Sequence, residues 1–127
     1  MAYDEFLATV QDLGGYDRED AARVTEAVVS TLGDRLPADT AEHLAEQLPP
    51  QVAELIERAN STTQDWGAQE FVVRVAEITG DDEDSAEGHS RAVLTAVARQ
   101  VSGGELNTLL SRLPSAYAAL FGHPELS

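Results

Sequence analysis

Cysteine is absent from these 127 residues, and so is lysine. Without cysteine there can be no disulfide, no zinc–thiolate site and no thiol nucleophile. Without lysine, eight arginines stand as the only permanent side-chain cations against 23 acids, for a net charge of −15. The lack of lysine fits a coding bias better than a chemistry. No apolar run reaches the length of a membrane span. No charged start leads into an apolar stretch, so no secretory leader is visible and a cytoplasmic protein is expected. The Asn60-Ser61-Thr62 triplet, which matches a glycosylation acceptor, is then a chance match. No alternating run is long enough for a strand. The chain also lacks a glycine-rich phosphate loop after a strand, and no serine or histidine falls in the context of a nucleophilic triad.

The charge narrows the choice of partners. A surface this acidic repels phosphate backbones and anionic lipid, so neither nucleic acid nor membrane is expected. The acids are dispersed, which fits solubility and self-repulsion. The functional alternative is an acidic face that steers a basic partner. The imbalance is greater in residues 1–65, with 14 acids and 4 arginines, than in the remainder, with 9 acids and 4 arginines.

What the chain does contain is a duplication. Residues 3–56 align with residues 68–121 at a constant offset of 65 without a gap, and 13 of the 54 pairs are identical. Half a chain of this length would expose too much surface for its core, so the two halves are expected to share one. The organisation read from this is a single domain: repeat 1 (3–56), a linker (57–67), repeat 2 (68–121) and a short frayed tail (122–127).

Each repeat reads as four short helices. Phe6, Val10 and Leu13 give one apolar face over residues 4–13, ended by Gly14-Gly15. Asp17 is placed to cap a second helix that carries Ala21, Val24, Val28 and Leu32 inward and stops before Pro37. Asp39 with Glu42 has the spacing of a capping box for the third helix. Pro49-Pro50 breaks that helix and starts a fourth, which buries Val52, Leu55 and Ile56. In the second half Phe71, Val72, Val75 and Ile78 line a fifth helix ended by Gly80. Asp81 or Asp82 opens a sixth. Ser102 with Glu105 is again a capping box, two residues earlier in the repeat than Asp39 with Glu42, so the seventh helix is expected to start earlier. Pro114 opens the eighth, with Tyr117, Leu120 and Phe121. The fold class is therefore all-α: eight short helices in two four-helix repeats. A pseudo-two-fold packing is the natural geometry, and a superhelical stack of repeats is the alternative.

Several of these residues also resemble a known family. Ala27-Val28-Val29, Arg35-Leu36-Pro37 and Leu48-Pro49 in the first half, with Ala92-Val93-Leu94, Ser102-Gly103-Gly104-Glu105 and Leu113-Pro114 in the second, resemble the bacterial and archaeal family catalogued as domain of unknown function 2267. The resemblance covers nearly the whole chain and implies a helical repeat. Its motifs are packing and capping residues, so it implies no activity and no site residues. Where many relatives carry an aromatic segment after the first Leu-Pro helix, this chain reads Ile56-Glu57-Arg58-Ala59-Asn60.

Candidate sites follow from departures between the repeats. His89 stands where repeat 1 has Val24, on an inner helix face. A partly buried histidine with one hydrogen bond is the common outcome there, and a ligand pocket between the repeats is the functional alternative. Glu26 and Arg91 are the partners expected beside it. His43 and Glu46 have the i, i+3 spacing of carboxylate-bridged metal helices, but Thr108 and Ser111 replace them in the second repeat, so a solvated face is expected. Asp81, Asp82 and Asp84 belong to an acidic run that lacks the alternation and central glycine of a calcium loop, and capping accounts for it. Trp66 is read as a hydrophobic staple with Phe71 across a Gly67 cap, or alternatively as a ligand-stacking ring. No cofactor is implied. The leading functional reading is a non-enzymatic interaction module that binds a protein partner or a second copy of itself; the alternatives are a small-molecule or metal-dependent helper or enzyme with a pocket between the repeats near His89, and a self-associating structural protein.

Overall fold

A computed structural model describes residues 3–59 and 64–122. Over those residues the chain forms eight helices and no strand: α1 (Tyr3–Gly14), α2 (Arg18–Arg35), α3 (Ala38–Ala45), α4 (Pro50–Ala59), α5 (Ala68–Thr79), α6 (Glu83–Ala98), α7 (Gly103–Ser111) and α8 (Tyr117–Leu120). The Asn60-Ser61-Thr62 triplet and the expected frayed tail lie outside the described residues, apart from Gly122. The expected linker is partly helical, because α4 continues to Ala59.

The offset of 65 reappears in the helix limits. α1 and α5 begin and end at matching positions, and α2 with α6, then α3 with α7, begin at matching positions. Local chemistry explains this agreement. Asp17 and Asp82 accept hydrogen bonds from the Asp20 and Ser85 amides, satisfying free N–H groups at the starts of α2 and α6. Gly15 and Gly80 take φ of 70° and 78°, the left-handed region that reverses the chain after α1 and α5.

The third helix departs from the expected cap. Asp39 lies inside α3, its carboxylate accepting, among the described residues, only from the next amide, Thr40. The N-cap is Pro37, held at φ −57° by its ring and offering no side-chain oxygen. The expected capping box at Asp39 and Glu42 does not form, and α3 and α7 start in register rather than two residues apart. Ser102 does cap α7, accepting from the Glu105 amide. Leu13 and Ile78 were expected inside, yet they are 37% and 52% exposed. They occupy equivalent positions in the last turns of α1 and α5, beyond the reach of the core.

Apolar residues from all eight helices join one core, with Phe6, Phe71, Tyr117 and Phe121 its largest buried rings. α2 packs on α6, α1 packs on α6, and α5 packs on α2. This exchange of partners is what a two-fold relation between halves produces. α3 and α7, at equivalent positions in the two halves, border one groove.

Candidate functional site

α3 and α7 bury Ala41, Leu44 and Ala45, and Leu106, Leu109 and Leu110. They meet at their polar edges, where His43 Nε2 lies 2.7 Å from Glu105 Oε2. Between them runs a groove of about 280 Å³. Its floor is Leu44, Val101 and Leu109, and its walls are Asp39, Thr40, His43, Gln47, Glu105, Thr108 and Arg112. Eight of the ten lining residues form four repeat-equivalent pairs: Thr40 with Glu105, His43 with Thr108, Leu44 with Leu109, and Gln47 with Arg112. The groove therefore lies where the two halves face each other, and the substitutions within those pairs make its sides chemically unequal.

Two carboxylates line it, Asp39 and Glu105; among the described residues Asp39 pairs with no arginine, and Glu105 meets only His43, at 2.7 Å, while Glu42 and Glu46 face another side of α3. Arg112, the C-cap residue of α7, makes no ion pair among the described residues. An apolar floor beside carboxylates that no arginine pairs can take up an apolar side chain and fix a cation above it. Sequence reading missed this groove because its residues come from two helices about sixty positions apart. The one available signal was His43 itself.

His89 lies elsewhere, at the junction of the two helix–turn segments. Its side chain is 12% exposed. Nε2 is 2.8 Å from Asp81 Oδ2 and Nδ1 is 2.6 Å from the Tyr16 hydroxyl. A carboxylate at Nε2 assigns the proton to that nitrogen, so Nδ1 accepts from the Tyr16 O–H. Arg23 reaches Asp81 at 3.5 Å and donates to the Thr79 carbonyl at 3.4 Å. The bond from His89, followed by the Arg23 charge, holds the Asp81 carboxyl below its ordinary pKa, while burial raises that of Tyr16. Glu26 and Arg91, expected beside His89, are not its partners. Glu26 is exposed on α2, and Arg91 pairs with Glu87 at 3.2 Å. With both ring nitrogens engaged inside the fold, His89 ties repeat 1 to repeat 2.

A second tie was not foreseen. Arg35, 8% exposed, donates from Nε to the Trp66 carbonyl at 2.6 Å and from a terminal nitrogen to the Gln64 carbonyl at 3.4 Å. Its guanidinium lies 5.6 Å from the Tyr117 ring centroid. The Tyr117 hydroxyl donates to the same Trp66 carbonyl at 2.8 Å and is within 3.2 Å of that of Gly67. Burial raises the Tyr117 pKa. Phe71 meets Tyr117 edge-on at 5.6 Å. The Trp66 indole does not enter the core as a staple; it is half-buried, with the Arg74 guanidinium 5.8 Å from its centroid. What matters at this position is its backbone carbonyl.

The remaining candidates disperse. Asp82 is the N-cap of α6, its pKa lowered by the bonds from Ser85, and Asp84 is exposed in the first turn. Among the described residues no three histidine or carboxylate side chains stand together as a metal-ligand set, and no helix is long and apolar enough to cross a membrane.

Residues 3–120 match the model of the family described as "Uncharacterized conserved protein (DUF2267)". No curated protein matches the chain. The chain belongs to that family.

Proposed function

For this family member we propose a non-enzymatic protein-interaction module in which the two repeats act as one cytoplasmic unit. The observation that carries the reading is the groove between α3 and α7, an apolar floor beside Asp39 and Glu105, neither of which pairs with an arginine among the described residues. Helical grooves of this kind receive the side chains of a partner. At about 280 Å³ the groove lies at the lower edge of the range for small-molecule sites, about 300–1,000 Å³. The charge of −15 favours a basic partner over nucleic acid and disfavours self-association. A ligand site at His89 has less support, because Tyr16 and Asp81 already take both of its nitrogens.

The test is photo-crosslinking in the native cell, with a benzophenone amino acid at Thr108 in the groove wall and at Glu54, away from it, as control. Discrete protein adducts from Thr108 that Glu54 does not give are the expected result. No protein adduct from Thr108, or the same adducts from both positions, would reject the reading.

A further inference from the structure

The groove also indicates what enters it. Resting on the interaction reading above, we propose that the occupant is a short amphipathic α-helix of a partner protein, with two or three apolar residues on one face and arginine or lysine flanking them. Three observations converge on this chemistry. α3 and α7 have 8 and 9 residues, about 12–14 Å of helix each, so the floor accommodates about two turns of a partner helix. Leu44, Val101 and Leu109 form a narrow apolar strip, matching apolar side chains at i and i+3 or i+4 rather than a broad flat surface.

Charge supplies the rest. Asp39 on α3 and Glu105 on α7 line the groove beside the strip, and among the described residues neither pairs with an arginine. His43, seated 2.7 Å from Glu105, shows where a donor above the groove is held. An incoming guanidinium would take over that place with two parallel hydrogen bonds where the imidazole makes one. The exposed Arg112 at the end of α7, in no ion pair among the described residues, favours the negative, C-terminal end of the incoming helix. His43, occupying Glu105 in the free protein, competes with the partner, and its removal should tighten binding.

The experiment uses the intact chain and a fluorescent peptide of roughly 14 residues, long enough to form a helix on a surface. The peptide carries leucines on one face and arginines beside them; a twin of equal charge has serine for leucine. Anisotropy titrations are run at low and moderate salt. Expected are saturable binding of the leucine peptide, on the order of tenfold weaker binding of the serine twin, and a similar loss in an Asp39→Lys/Glu105→Lys variant whose circular dichroism is unchanged. His43→Ala should tighten binding about threefold.

Equal affinity for the two peptides would mean attraction by charge alone and overturn the proposal, as would a charge-reversed variant that binds like the parent. A Thr108 crosslink to a second copy of the chain, or to a partner whose contact segment is not helical, would also overturn it. A discrete protein adduct with no peptide binding would reject the helix and leave the interaction reading standing. An absence of protein adducts would reject both.

Discussion

The two halves begin alike and finish differently. In the first, α2 and the ten residues of α4 pack so closely that a Cβ on Gly33 would lie 2.9 Å from the Ile56 carbonyl oxygen and 3.0 Å from the Ala59 Cβ. In the second, the position of Gly33 is Ala98, the position of Ile56 is Phe121, and the last helix shrinks to the four residues of α8. A methyl and a larger ring thus stand where the first half has Gly33 and Ile56, and Tyr117, where the first half has Val52, turns its hydroxyl to the Trp66 and Gly67 carbonyls. A similar trade occurs at the first turn. Tyr16 folds back over Gly14, where any Cβ would run into its ring; the matching Asp81 leaves room for Thr79, whose hydroxyl accepts from the Asp81 amide. A shared pattern of small and large apolar positions thus sets where helices lie, while single exchanges of size or polarity decide how closely they pack.

That comparison can be broken at several pairs. The largest effect is expected at Arg35, whose equivalent is Gln100. Arg35→Ala removes a buried guanidinium from two carbonyls and a ring face and should cost about 2–3 kcal/mol in urea unfolding. Gln100→Ala should change stability by no more than about 0.5 kcal/mol. Next is Gly33→Ala, where the clash with the Ile56 backbone outweighs the helix-propensity gain of about 1 kcal/mol and leaves a net loss of about 1–2 kcal/mol. The reverse exchange, Ala98→Gly, should cost no more than about 1 kcal/mol.

A third pair is expected to respond with opposite signs. Thr25 and Ser90 are equivalent and fully buried. Ser90 donates to the Ala86 carbonyl at 2.8 Å, whereas the Thr25 hydroxyl has no partner among the described residues. Thr25→Val should stabilise by about 1 kcal/mol and Ser90→Ala should be neutral or slightly destabilising, by thermal melts. His89→Val restores the residue of the first repeat yet strands the Tyr16 hydroxyl. A loss of about 1 kcal/mol is expected, most of it absent when Tyr16 is already Phe, as a double-mutant cycle would show.

The smallest effect appears only in acid. The Asp81 and Asp82 carboxyls have pKa values below their unfolded ones, so their contribution is present above pH about 4 and is lost as pH falls through the lower folded values. Asp81→Asn/Asp82→Asn should therefore flatten the acid limb of stability below pH about 4. An acid limb as steep as that of the parent would rule out these two groups as its source.

Much of the fold was legible because its determinants are local. Asp17, Asp82 and Ser102 cap the helices they precede, Gly80 ends the helix before it, and the inner stripes of α2 and α6 are buried as spaced. Where local cues competed, the stronger constraint won: the proline ring at position 37 started α3 before Asp39 could cap it. Leu13 and Ile78 kept the helical period, but that period says nothing about where the core ends. The site was barely legible. His89 was noticed as a departure from Val24, yet its partners lie 73 positions away at Tyr16 and across a turn at Asp81. The Arg35 tie reaches a backbone carbonyl, which no side-chain motif records. The groove exists only because two helices from different halves end side by side.

One feature of the packing bears on ancestry. Because α1 lies on α6 while α5 lies on α2, each half uses the same surface toward the other. Two separate half-length chains making that contact would form a closed, isologous homodimer, in which every residue on the axis meets its own copy. Joining the copies in one chain released them from that identity. One side of the groove can then carry His43 and Gln47 where the other carries Thr108 and Arg112. A symmetric cleft binds an asymmetric guest equally well in two directions, whereas the fused chain can give its guest a head and a tail.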